Sequence, residues 1–260
     1  MQIHEFGSRE SHTLLVMSGM LQDWHSMRTF MQPLEEHYRV LYVAYDGMYP
    51  GSKDFTSFAD QARQIEEYIR EHYDGKLHGV YGASQGGLMV VELLTRNQIN
   101  VKYAITDGVY VAHQGKAAAW LGVKMFTGVK QNGGKFPKVM DIPMKLMGLG
   151  EEDYAMFSAL YWGASEETIK RNLYENYTYH TRPEIANTHT KVHLWCGSKE
   201  PYALKSHKIL KKYLKNYEEE IWDGLGHGQM LMKQSQALCE KIHASLNENP
   251  PPCNPPEIGV

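Results

Sequence analysis

The stretch Val80-Tyr-Gly-Ala-Ser-Gln-Gly-Gly-Leu88 places a serine, Ser84, between two glycines where two sequence patterns meet. The residues from Leu77 to Tyr81 predict a strand, because they form a short run rich in β-forming residues. The residues from Gly86 to Leu94 predict a helix. Ser84 therefore lies on a predicted strand-to-helix turn, which is the context that a G-x-S-x-G motif requires of a nucleophilic serine.

The two glycines of this motif have a physical reason. A sharp, strained turn tolerates no large Cβ group nearby, and Gly82 and Gly86 stand two residues before and two residues after Ser84. The hydroxyl would then project above the carboxyl edge of a sheet, beside the N–H groups of a helix N-terminus. The motif alone is weakly specific in a chain with 23 glycines, so a polar turn residue is the alternative interpretation of Ser84.

The rest of the chain alternates between strand and helix patterns. Further apolar runs predict strands at Thr13–Met17, Arg39–Tyr45, Val101–Thr106, Lys191–Cys196 and Glu219–Trp222. Amphipathic patterns predict helices at 55–72 and 203–217, and a last helix that turns Leu231, Leu238, Ile242 and Leu246 inward. This alternation predicts an α/β fold with a mostly parallel central sheet flanked by helices on both faces.

Two regions interrupt the alternation and define the predicted domains. Residues 110–183 show no clear strand and predict a helical cap inserted into an α/β core formed by 1–109 and 184–246. Residues 247–260 are too rich in proline for a helix or a central strand and predict an extended C-terminal tail. Eight cap residues, all aromatic except Met156, could line an apolar pocket or simply pack the cap on the core: Tyr154, Met156, Phe157, Tyr161, Trp162, Tyr174, Tyr177 and Tyr179.

Composition excludes several classes of partner. The chain has 260 residues, of which 42% are hydrophobic, and a formal net charge of -3, so it lacks the basic excess that nucleic acids require. No segment approaches the roughly 18 consecutive apolar residues of a membrane span. The polar first residues lack the pattern of a secretory signal, and three scattered cysteines fit a reduced, cytoplasmic protein. Nothing in the sequence sets the oligomeric state.

A nucleophilic serine needs a base within hydrogen-bond reach and a third group that orients the base. Among the 13 histidines, His227 stands out because it lies in Asp223-Gly-Leu-Gly-His-Gly228, directly after the predicted strand that ends at Trp222. That loop would lie at the same carboxyl edge of the sheet as Ser84. An incidental histidine in a glycine-rich turn is the alternative.

The orienting acid should also follow a strand. Glu200 lies in Gly197-Ser-Lys-Glu-Pro201, after the predicted strand that ends at Cys196, and is the leading candidate. Asp107, after the predicted strand that ends at Thr106, is the alternative acid. Either carboxylate could instead be a solvated loop residue or a helix N-cap.

With these positions in the order serine, acid, histidine, the chain resembles the α/β-hydrolase superfamily, and its serine esterase and lipase-like members in particular, from about Thr13 to Leu246. The matching segments are the nucleophile turn Gly82–Gly86, the acid turn Gly197–Glu200 and the histidine loop Gly226–Gly228. The resemblance implies the α/β-hydrolase fold, a helical cap inserted after the sixth family strand, and chemistry through an acyl-enzyme intermediate.

The resemblance also implies an oxyanion hole formed by the backbone N–H groups of Met20 and Gln85. Three departures from the family pattern stand out. The usual His-Gly before the oxyanion residue is Ser18-Gly19, and an acid that is Glu rather than the commoner Asp keeps Asp107 open. The N-terminal hairpin of the family would be reduced to one strand at Gln2–Phe6.

The function that these residues favour is hydrolysis of a carboxylic ester in a small-molecule acyl substrate, with no metal and no organic cofactor. Thioester, amide or C–C bond hydrolysis and acyl transfer would use the same triad. A ligand-binding module with little turnover is the alternative from another class, and a purely structural α/β domain is a third. His189 and His193 are interpreted as structural residues rather than zinc ligands.

Overall fold

Seven strands form one sheet in the computed structural model, which describes residues 1–20, 22–131 and 164–247. The strands are β1 (Gln2–Phe6), β2 (Thr13–Met17), β3 (Arg39–Ala44), β4 (Lys76–Ala83), β5 (Asn100–Asp107), β6 (Lys191–Gly197) and β7 (Tyr217–Trp222). Their order in the sheet is β1-β3-β2-β4-β5-β6-β7. Only β1 is antiparallel to its neighbour among these strands. The mostly parallel sheet predicted from the strand and helix alternation is confirmed.

Helices connect the strands. They are α1 (Trp24–Met31), α2 (Phe58–Tyr73), α3 (Gln85–Arg96), α4 (Lys116–Gln131), α5 (Glu166–Thr178), α6 (Pro201–Leu210), α7 (Gln229–Lys233) and α8 (Ser235–Leu246). Short 3-10 helices span Gln32–Glu36 and Pro183–Asn187. Within the described ranges, no helix is long and apolar enough to cross a bilayer.

The sheet is covered on both faces, as β2 shows. Leu15 and Met17 pack in the cluster that includes the apolar stripes of α2 and α3, whereas Leu14 and Val16 pack in the cluster that includes those of α1 and α8. Alternate residues of a strand face opposite sides, so both sides of β2 must be apolar. Each fully buried side chain of this kind contributes about 1.5–3 kcal/mol.

Two helix predictions were wrong in part, because one helix is shorter than predicted and the other is interrupted. The helix predicted for 203–217 ends at Leu210, because Tyr217 already belongs to β7, where it pairs with Val192 of β6. The last predicted helix is two helices, α7 and α8, separated at Gln234, whose backbone is non-helical (φ -138°, ψ 36°). The four residues predicted to face inward are nevertheless all buried.

The described parts of 110–183 contain α4 and α5. Helix α5 is fixed to the core near both ends, because Thr168 Oγ1 accepts from Phe55 N–H at 3.1 Å and Glu175 Oε2 accepts from Phe58 N–H at 3.0 Å. The helix predicted near 151–162 and five of the eight cap residues, four of them aromatic, fall in 132–163, outside the described residues. The tail from residue 248 onward lies outside them as well.

Candidate active site

Ser84 occupies a strained backbone conformation between β4 and α3. Its φ of 55° and ψ of -113° are rare for a residue with a side chain and cost about 1–3 kcal/mol. A Cβ at Gly82 would lie 2.2 Å from the carbonyl oxygen of Gly86, and one at Gly86 would lie 2.1 Å from that of Met17. The backbone segments therefore pass too closely for any other residue at these two positions, as the motif predicts.

The serine and histidine are in hydrogen-bond contact. Ser84 Oγ lies 2.8 Å from His227 Nε2, and His227 Nδ1 lies 2.6 Å from Glu200 Oε2. The side chain of the histidine bridges the two other residues, although they are far apart in the sequence. His227 is 6% exposed and Glu200 is 1% exposed, so the chain of contacts is shielded from bulk water.

Glu200 is held by its own backbone surroundings. It is the N-cap residue of α6, immediately beyond β6, and its Oε1 accepts from the N–H of Gly197 at 2.7 Å. This leaves Oε2 directed at the imidazole. A Cβ at Gly197 would lie 2.1 Å from the carbonyl oxygen of Leu225, so the loop that leads to His227 passes directly over the acid turn.

The charges of Glu200 and His227 stabilise one another. Burial alone would raise the pKa of Glu200, but the His227 charge and hydrogen bond, together with the Gly197 N–H, hold that pKa below its ordinary value. Burial alone would lower the pKa of His227, but the Glu200 charge and hydrogen bond outweigh it, so that the pKa of His227 is raised. The imidazole is therefore a stronger base than a free histidine.

Asp107, the alternative acid, lies at the end of β5 and has a different partner. Its carboxylate accepts from the hydroxyl of Tyr81 at 2.8 Å, and its carbonyl oxygen accepts from the N–H of Ser84 at 2.7 Å. Burial and the nearby Glu200 charge raise the pKa of Asp107 to about 7. The structure thus brings Glu200, rather than Asp107, into contact with the imidazole.

Two neighbours of the histidine were not found from the sequence. Gly108 has a φ of 62°, and a Cβ there would lie 2.9 Å from Glu200 Oε2 and 3.1 Å from His227 Nδ1. The ring of Tyr110 lies over the imidazole, with centroids 4.9 Å apart. A glycine two residues after the end of a predicted strand was the only available signal for Gly108, and it is a weak one in a glycine-rich chain.

The two N–H groups expected to form an oxyanion hole belong to segments that meet at Ser84. Gln85 is the first residue of α3, and the first N–H groups of a helix have no partner within that helix. Met20 follows Gly19, and a Cβ at Gly19 would lie 3.6 Å from the Cβ of Ser84. The Gly19 N–H donates to the side chain of Gln22 at 2.9 Å, which fixes this loop.

No group of three or more His, Cys, Asp or Glu side chains is arranged to hold a metal ion in the part of the chain that the structure describes. His193 is buried and lies 3.7 Å from the Glu218 carboxylate. Cys196 and Cys239 are free thiols, both buried.

The architecture matches known structures. An alpha/beta hydrolase family protein from Desulfitobacterium hafniense superposes with a TM-score of 0.82 at 20% identity, covering 95% of this chain and 100% of that one. An esterase from Exiguobacterium antarcticum superposes with a TM-score of 0.75 at 17% identity, covering 95% of each chain. A lipase-esterase related protein from Clostridium acetobutylicum superposes with a TM-score of 0.74 at 13% identity, covering 94% of this chain and 98% of that one.

No protein-family model matches the sequence, and the comparison with curated proteins returns no match. The likeness to the solved structures extends over nearly the whole chain at low identity, so it concerns the fold. The chain has the α/β-hydrolase fold, as the nucleophile motif and the strand order indicate.

Proposed function

We propose that the protein is a serine hydrolase that cleaves a carboxylic ester of a small molecule, with Ser84 as the nucleophile, His227 as the base and Glu200 as the orienting acid. The observation that carries this proposal is the position of the His227 ring, which is 2.8 Å from Ser84 Oγ on one side and 2.6 Å from Glu200 on the other. The esterase from Exiguobacterium antarcticum has the same fold, which makes this activity the natural first choice.

The proposed reaction has two halves. His227 Nε2 removes the proton of Ser84 Oγ while that oxygen forms a bond with the ester carbonyl carbon, and Glu200 stabilises the resulting imidazolium. The C–O bond to the alcohol then breaks, and the alcohol leaves with the proton from Nε2. In the second half a water molecule loses a proton to His227 and attacks the acyl-enzyme, which releases the acid and regenerates Ser84.

The backbone N–H groups of Gln85 and Met20 are the proposed donors to the oxyanion. Charge develops on the carbonyl oxygen in each half of the reaction, and fixed donors stabilise it without reorganisation. Loss of one such donor typically costs about 2.7–4 kcal/mol of activation free energy. Because both donors belong to the backbone, the strained turn at Ser84 and the loop held by Gln22 are what position them.

Hydrolysis of thioesters, amides or C–C bonds and acyl transfer would use the same three side chains. A binding module with little turnover would also keep the pocket, but it would not need a histidine held by a buried carboxylate. Segment 110–183 is proposed as a helical cap over this site. Free, buried cysteines in the described ranges fit our proposal of a cytoplasmic protein without requiring it.

The test is covalent labelling with a fluorophosphonate probe, followed by mass spectrometry and by hydrolysis of p-nitrophenyl butyrate. We expect one adduct on Ser84, none in Ser84→Ala, and labelling that is strongly slowed in His227→Ala and Glu200→Ala. Ser8→Ala is the matched control, because Ser8 is an exposed serine before the amino end of β2 that accepts from the N–H of Glu10, whereas Ser84 follows the carboxyl end of β4. A folded wild-type protein that forms no adduct and hydrolyses no ester would favour the binding module.

A further inference from the structure

Three carboxamide side chains meet between the nucleophile turn and α5. Asn176 Nδ2 lies 2.9 Å from Gln85 Oε1, 2.9 Å from the backbone oxygen of Asn172 and 3.2 Å from Asn172 Oδ1. Gln85 is 1% exposed and Asn172 is fully buried. These three residues, which we call the amide cluster, connect the residue after Ser84 directly to the cap helix.

The backbone oxygen in this cluster fixes the orientation of all three amides. A carbonyl oxygen only accepts, so the Asn176 atom beside the Asn172 backbone oxygen must be the amino nitrogen. That nitrogen donates, so the side-chain atoms of Gln85 and Asn172 that face it must be their oxygens. The amino groups of Gln85 and Asn172 therefore point away from Asn176.

Both of these amino groups are buried, and neither has a hydrogen-bond partner among the residues that the structure describes. Buried donors without an acceptor are rare in native proteins, because losing hydration without a replacement bond is costly. The amide cluster therefore has an excess of donors. An oxygen acceptor from outside the described residues would satisfy both donors.

The chemistry of the cluster restricts that acceptor. The three side chains carry no charge, so burying a carboxylate against them would leave its charge uncompensated, whereas a neutral carbonyl oxygen needs only N–H donors. The position of Gln85 restricts which part of a substrate could supply the oxygen. The leaving alcohol must lie beside His227 Nε2 to take its proton. Gln85, in contrast, begins α3 and carries one of the proposed oxyanion donors, so it lies nearer the acyl part.

We propose that the amide cluster is a specificity site for the acyl part of the substrate, and that it selects acyl groups carrying a second, neutral carbonyl oxygen. This inference rests on the proposed function and deepens it from an ester to an oxo-acyl ester. Asn172 is the specificity-determining residue. Gln85 contributes its backbone N–H to the reaction and its side-chain amino group to recognition.

The experiment compares pairs of p-nitrophenyl esters that differ only by a ketone. Levulinate is paired with valerate, and 5-oxohexanoate with hexanoate, with spontaneous hydrolysis subtracted from each rate. We expect wild-type kcat/KM to favour an oxo ester by about tenfold or more, since a site that loses a buried hydrogen-bond partner discriminates strongly. Ester dissociation constants are also measured calorimetrically on Ser84→Ala, which binds without turnover.

The variants Asn172→Asp and Asn172→Ala test the assignment. Asn172→Asp exchanges the free amino group for an oxygen at almost unchanged size, and Asn172→Ala removes it. Both should abolish the preference by lowering kcat/KM for the oxo ester by about tenfold or more relative to the plain ester. Thr168→Val is the matched control on the same helix, because it breaks the contact with Phe55 N–H without touching the amides. Its preference should equal that of the wild type.

Three results separate the possibilities. Equal rates for both esters of each pair and equal binding to Ser84→Ala would overturn the specificity site and leave a buried water as the partner of the amide cluster. A preference that survives in both Asn172 variants would overturn it too. Failure of the proposed function is recognised separately, by the absence of fluorophosphonate labelling, and the binding measurement on Ser84→Ala decides the specificity site in that case as well. If neither Asn172 variant folds, the wild-type preference decides it.

Discussion

The ends of β5 and β6 are neighbours in the sheet, and each presents one buried carboxyl group. At the end of β6, Glu200 accepts from a backbone N–H and pairs with His227, and its pKa is held below the ordinary value. At the end of β5, Asp107 accepts from the hydroxyl of Tyr81, and its pKa is raised to about 7. Two acids in similar burial therefore have opposite shifts.

The difference shows that the partner, and not the burial, decides the charge. Burial raises the pKa of both groups, but only Glu200 has a partner that becomes a cation. The charged Glu200 in turn disfavours a second negative charge, which helps to keep Asp107 protonated. One strand end can therefore carry a charged carboxylate that pairs with the imidazole, while its neighbour stays largely neutral below about pH 7.

Removal of His227 should have the largest effect, because it takes away the partner that distinguishes Glu200 from Asp107. In His227→Ala we expect kcat for p-nitrophenyl butyrate to fall by roughly 10⁵-fold or more, because the base is lost. The pKa of Glu200 should rise above its ordinary value of 4.5, since burial is then unopposed by an imidazolium. Steady-state kinetics and ¹³C NMR of labelled glutamate measure the two effects. His78→Ala, which alters a histidine bonded to Leu246, is the control. An unchanged Glu200 pKa would contradict the explanation.

Neutralising each acid in turn gives the next largest effect. Glu200→Gln keeps the size but loses the charge, so we expect kcat to fall by roughly 10⁴-fold. Asp107→Asn should stay within about tenfold of the wild type, because asparagine still accepts from Tyr81 and the wild-type aspartate is largely neutral below its raised pKa. If the two losses came out in the reverse order, Asp107 would be the orienting acid.

The pH dependence of kcat/KM separates the effects of the two acids on the pKa of His227. The proposed mechanism needs neutral His227, whose pKa is raised above the ordinary 6.5, so activity should increase with pH through an apparent pKa above that value. The rise in activity should occur at lower pH in Glu200→Gln, because the Glu200 charge is the main cause that raises the pKa of His227. The displacement should be smaller in Asp107→Asn. A rise at unchanged pH in Glu200→Gln would show that His227 does not control the pH dependence of activity.

Stability against pH gives the smallest effect. Between pH 3.8 and about pH 7, Asp107 in the native protein keeps a proton that the unfolded chain has released. The free energy of unfolding therefore falls as the pH rises. The slope is at most about 1.4 kcal/mol per pH unit. Asp107→Asn should remove this slope.

Glu200 should give a slope of the opposite sign. Because its pKa is lowered, Glu200 stabilises the fold above about pH 4.5 and loses that contribution at lower pH, and Glu200→Gln should remove this dependence. Urea unfolding over this pH range measures both slopes, and parallel curves for wild type and Asp107→Asn would refute the assignment.

Much of the fold could be predicted from the sequence because its signals are local. Glycines at 82 and 86, an apolar run before Ser84 and a helical pattern after it are properties of nine consecutive residues, and the structure has the turn there. Predictions became wrong where a local pattern competed with sheet pairing. Tyr217 fits the stripe of the preceding helix, but pairing with Val192 draws it into β7.

The site was predicted less completely, because its members contact one another across the sheet. Gly108 matters through the two side chains that occupy the space beside its Cα, and Asn172 matters through two amides from different segments. Neither relation leaves a pattern in the sequence. His227 was found only because a glycine-rich loop directly follows a strand.

The strand-to-helix turn at Ser84 and the mostly parallel sheet could be predicted from local sequence patterns, and so could the loops that carry Glu200 and His227. Backbone propensity and hydrophobic period act over a few residues, so they leave a signal in a short stretch of sequence. Which of the two acids contacts the imidazole of His227 could be established only from the tertiary structure. Both Glu200 and Asp107 end neighbouring strands, and the choice depends on where each carboxylate points: Glu200 is held by the Gly197 N–H and aimed at the imidazole, whereas Asp107 is taken by Tyr81.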